Sequence, residues 1–93
     1  MQYWGTGRLG THQSVAYTGT AGTISDEIGT GVLKVRVVVT SAAYIKIGND
    51  PTATTADVYM VADTPEYFTI TSGMKVSAIQ VSGAGTLHVT EIP

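Results

Sequence analysis

The 93-residue chain contains no cysteine, so disulfides, thiolate nucleophiles and cysteine-ligated metals are excluded outright. That absence fits a reducing compartment. Charge is scarce as well, at 13% of residues with a net charge of −2. The five basic residues, Arg8, Lys34, Arg36, Lys46 and Lys75, are scattered, whereas a nucleic-acid binder shows a basic stripe that neutralises phosphates. Only Lys34 and Arg36 stand close enough to share a strand face. No stretch approaches the roughly 18 apolar residues that span a membrane. The opening MQYWGTGRLGTHQS has no basic segment followed by an apolar run, which predicts a protein made in a cytoplasm without a signal peptide. The long periodic stretches of Leu, Glu, Lys and Ala that build helices are also missing.

Small polar residues fill the space. Fifteen Thr, six Ser and eleven Gly make up about a third of the chain. Thr and Val favour the pleated, half-buried surface of a sheet, and Gly and Ser supply its turns. A chain this short forms one domain, with modest stability that a partner or further copies could raise.

Alternation places the elements. In VLKVRVVVT (32–40), Leu33, Val35, Val37 and Val39 share one face, and Val32, Lys34, Arg36, Val38 and Thr40 the other. That period of two predicts a strand with the first set in a core. AYIKIG (43–48) continues it, with Ala43, Ile45 and Ile47 inward and Tyr44 and Lys46 outward. DVYMVA (57–62), EYFTI (66–70), KVSAIQV (75–81) and TLHVTEI (86–92) complete the set, and SVAY (14–17) and AGTIS (21–25) are weaker candidates. Seven or eight strands spaced about 8–12 residues apart predict an all-β domain, a small antiparallel β-sandwich or jelly-roll-like barrel. Residues 1–14, broken by Gly5, Gly7 and Gly10, read as an extended arm, and 15–93 as the β core. The nine-residue connection from Gly48 to Ala56 is too long for a tight hairpin; that length allows a crossing between sheets, and Pro51 to Ala56 suits extended coverage of a sheet edge or a subunit contact.

No constellation of residues predicts catalysis. Asp50, Asp57, Asp63 and Glu66 lie at strand ends, where carboxylates cap turns, and Asp50 and Asp63 suit the first position of a type I turn. A calcium loop from Asn49 and Asp50 to Asp57 would need six to eight oxygens, and the spacing matches no calcium-loop pattern. His12 falls in the arm, and His88 faces away from Leu87 and Val89, with Thr86 and Thr90. With no cysteine and no second histidine nearby, no zinc site is expected. No G-x-S-x-G elbow or phosphate loop is present. The expectation is a protein that is not an enzyme and has no cofactor, metal or small-molecule substrate. The aromatic residues carry the partner reading. Tyr3, Trp4 and Leu9 are apolar groups without a strand to bury them, Tyr44 points outward by the alternation of its strand, and Tyr67 points outward if Phe68 is core. These five are the candidate partner-binding residues.

The order of pieces from 32 to 92 resembles a group of small tailed-bacteriophage virion proteins. An apolar strand is followed by Tyr44–Ile45–Lys46–Ile47–Gly48, by PTATT (51–55), by PEYF (65–68), by KVSAIQ (75–80) and by GTLHVTE (85–91). The resemblance covers about two-thirds of the chain and leaves out the first thirty residues. It implies a capsid decoration or cement protein that binds the major capsid protein on the head surface, commonly as a homotrimer. A tail or neck structural protein, or a fibre-associated carbohydrate-binding β module, is the alternative.

Overall fold

The computed structural model describes residues 11–29, 31 and 34–92. Among them are eight β-strands and no helix. They are β1 (His12–Tyr17), β2 (Gly22–Thr23), β3 (Lys34–Val39), β4 (Ala43–Gly48), β5 (Val58–Met60), β6 (Glu66–Thr69), β7 (Lys75–Gln80) and β8 (Gly85–Ile92). Two four-stranded sheets result, ordered β1-β8-β3-β6 and β2-β7-β4-β5, with every pairing antiparallel. Each connection switches sheets except β4–β5.

Alternation drives the packing as expected. Val35, Val37 and Val39 of β3 and Leu87 and Val89 of β8 are buried on the inner face of the first sheet. Ala43 and Ile45 of β4, Met60 of β5, and Val76 and Ala78 of β7 come from the second sheet into the same core. Ile47, Phe68 and Met74 pack against its margin. Ile24, Ile28 and Ile70, all on sheet-to-sheet connections, close the ends.

Three expectations need correction. The last residues read as arm, His12 to Ser14, belong to β1, because they continue its ladder against β8 through His12↔Thr90 and Ser14↔His88. The rest of that arm, with Tyr3, Trp4 and Leu9, lies outside the described residues, as does Leu33. Second, the long Gly48–Ala56 connection does not cross between sheets. It joins neighbouring strands, and its length is spent on covering the outer face of its own sheet. Pro51 and Ala53 are buried there, and the Ala53 amide donates to the Ser77 hydroxyl at 3.0 Å. The Thr23 hydroxyl donates to the Pro51 carbonyl at 3.1 Å and lies 3.0 Å from that of Ser77. A buried serine on an outward position is thus satisfied by the loop.

Third, Asp63 is an inner residue of the turn over Ala62 and Asp63, not its first position. Its φ of 58° is left-handed, a conformation that Asp tolerates better than most residues. Its amide donates to the Val39 carbonyl at 2.8 Å, tying the β5–β6 connection to the end of β3. The Thr71–Met74 turn needs a left-handed residue too, and Gly73 supplies it at φ 88°.

Candidate functional site

The two outer faces differ in chemistry. On the second sheet, the register puts Tyr59, Tyr44 and Ile79 in one row across β5, β4 and β7. The Tyr44 and Tyr59 rings meet edge-to-face, with centroids 6.0 Å apart and planes at 68°, an arrangement that contributes about 0.5–1.5 kcal/mol beyond area burial. Tyr59 is nevertheless 54% exposed. Val61 and Val81 follow β5 and β7 at the same end of the sheet, 45% and 39% exposed. The Val81 amide donates to the Ala42 carbonyl at 3.2 Å, which carries the β7–β4 ladder one residue further. Lys46 and Lys75 occupy outward positions towards the other end. The face therefore has an apolar, aromatic centre bounded by lysines on one side.

The first sheet is polar on its outside. By register, His12, Thr90, Arg36 and Tyr67 form one row across β1, β8, β3 and β6, and Lys34 lies beside Ile92 and Thr69. Its outward positions hold Lys34, Arg36, His12 and His88, and no carboxylate. Tyr67 is 43% exposed at the edge, opposite Arg36.

Of the five candidate partner-binding residues, Tyr44 and Tyr67 are both outward, but on opposite sides of the molecule. They cannot serve one interface. Tyr3, Trp4 and Leu9 lie outside the described residues. The companions of Tyr44 are Tyr59 and Ile79, which the sequence reading did not select. The alternation of Tyr59 with buried Met60 was the available signal, but its register against Tyr44 was not.

The carboxylate of Asp57 is used locally. It accepts from the Thr54 amide at 2.7 Å and the Thr54 hydroxyl at 3.2 Å, while the Asp57 amide donates back to the Thr54 carbonyl at 3.0 Å. Glu91 is buried at the inner end of β8 and accepts from the Gly29 amide at 3.1 Å.

The histidines depart from expectation. His12 and His88 are diagonal neighbours across β1 and β8. Their rings stack, with centroids 5.4 Å apart and planes 22° apart. The assumption that no second histidine lies nearby is overturned, because β1 begins early enough to carry His12 onto the sheet.

No protein-family model, no curated protein and no solved structure matches this chain.

Proposed function

We propose that this chain is a structural protein of a bacteriophage virion, a decoration protein that docks on the major capsid protein and reinforces the head. The observation that carries the reading is the exposed Tyr59, Val61 and Val81 cluster beside Tyr44 and Ile79. An aromatic, apolar centre bordered by long charged side chains is the composition of a protein–protein contact surface. The resemblance of residues 32–92 to small virion proteins supplies the partner class. The strand orders β1-β8-β3-β6 and β2-β7-β4-β5 support a jelly roll, two interleaved Greek keys, an architecture that recurs in viral capsid domains. Fold alone does not assign a function, so the docking face carries the argument. On this reading the protein is made in the host cytoplasm and works on the capsid surface without catalysis. A homotrimer would set three weak contacts on the shell to act as one.

Tyr59→Ala is the test of this face. Capsid shells lacking the protein are expected to bind the variant about thirtyfold more weakly than wild type, the loss typical of an interface hot spot near 2 kcal/mol. Its stability should fall only by about 0.5–1.5 kcal/mol, the worth of the lost Tyr44 ring contact, so the variant stays folded. Equal binding by both proteins would remove the second sheet from the interface. Binding to purified glycans that Tyr59→Ala abolishes would instead favour the carbohydrate-binding module.

A further inference from the structure

We propose that His12 and His88 form a binding site for a divalent first-row transition metal, Zn²⁺, Ni²⁺ or Cu²⁺, which clips the edge strand β1 to β8. His12 Nε2 and His88 Nδ1 are 3.3 Å apart. Two ligands of a tetrahedral centre with metal–nitrogen bonds of about 2.0–2.1 Å stand about 3.3–3.4 Å apart. The pair is therefore already spaced as adjacent ligands. As a direct hydrogen bond the same distance is long, beyond the usual 2.7–3.2 Å or so.

The neighbouring hydroxyl suits the ligating tautomer. His12 Nδ1 lies 2.9 Å from Thr90 Oγ1. When Nδ1–H donates to that oxygen, the lone pair of Nε2 is left facing His88, the outer-shell arrangement that orients metal-bound imidazoles. Thr90 is itself almost fully buried, so this partner is fixed.

The surroundings select the kind of ion. Among the described residues no group of three His, Cys, Asp or Glu assembles, so water completes the coordination. Arg36 lies diagonal to His88 across β8 and β3, and its positive charge limits affinity. With two imidazoles and no carboxylate, the site suits borderline metals rather than the oxygen-seeking Ca²⁺ or Mg²⁺. The consequence is mechanical. Among the described residues β1 is an edge strand paired only with β8, and the metal would add a second kind of link between them. The strand that leads back to residues 1–10 would then be held more firmly when metal is bound.

The test is a Zn²⁺ titration of the untagged full chain, followed by NMR of the imidazoles and by hydrogen exchange of the β1 amides. Saturable shifts at both His12 and His88 are expected, with slower exchange in β1 and no response to Mg²⁺. His12→Gln and His88→Gln should each weaken the response at least tenfold, and Thr90→Val, which keeps both ligands, about tenfold. Shifts at neither imidazole in millimolar Zn²⁺ would overturn the proposal. So would a response that survives in the His12→Gln/His88→Gln double variant, or one confined to a single imidazole.

Discussion

Replacing Tyr17 by Ala is expected to remove about 3–5 kcal/mol of stability, the range for emptying a large aromatic site in a core. A domain of this size has about 5–14 kcal/mol in all, so the variant stands near the unfolding limit. Tyr17 ends β1 fully buried, where the chain leaves the first sheet. Its hydroxyl donates to the Ser41 carbonyl and accepts from the Ser41 amide at 3.2 Å. One side chain thereby ties the end of β1 to the β3–β4 connection. Tyr17→Phe keeps the ring and strands both Ser41 groups, at about 1–3 kcal/mol.

Tyr17 also sets an alkaline limit. Burial raises its phenol above the ordinary value near 10; the Ser41 hydrogen bond partly offsets this, and the negative charge of Asp63 adds to it. The folded pKa thus exceeds the unfolded one. Above about pH 10 the unfolded chain gives up the phenolic proton first, and stability falls with rising pH until the folded protein titrates too. The contribution is complete below about pH 10. Urea unfolding from pH 8 to 11 should show a decline that Tyr17→Phe reduces. An unchanged decline in that variant would assign it to other groups.

Gly22→Ala is the second large effect, and it arises in backbone rather than side chains. A Cβ on Gly22 would lie 2.2 Å from the Ala16 carbonyl oxygen and 3.1 Å from its carbon. Neither atom can rotate away, because Ala16 is held in the β1–β8 ladder opposite Thr86. Relief requires β1 and β2 to move apart, which strains the corner where the chain passes between sheets. A loss of about 3 kcal/mol is expected, at the upper end of overpacking costs. Gly19→Ala is the matched control, since its Cβ meets only Gln80 Nε2 at 3.8 Å. That variant should be neutral or slightly stabilising through the unfolded chain. Similar urea midpoints for the two variants would contradict the close approach.

The strands were legible where alternation ran long. Residues 34–39 and 43–48 carry period-two patterns whose inner members are buried or packed on the core. β2 was legible only weakly, inside AGTIS (21–25), because two residues cannot show a period. Strand order was also out of reach, since partners such as β1 and β8 are separated by most of the chain. The long β4–β5 loop misled because length suggests a crossing. It is in fact held by Ser77, whose burial depends on the loop itself. Register decides the rest. It brings Tyr59 beside Tyr44, sends Tyr67 to the opposite side, and sets His12 diagonal to His88. Each of these depends on pairings that no single stretch of sequence contains.

The proposed role on the capsid is decided by the copy number of the chain in purified particles, relative to the major capsid protein. A ratio near that of the coat protein, one to one or one trimer per local three-fold, is the predicted result. A few per cent would move the protein to the tail or neck, and its absence from the particles would contradict the account.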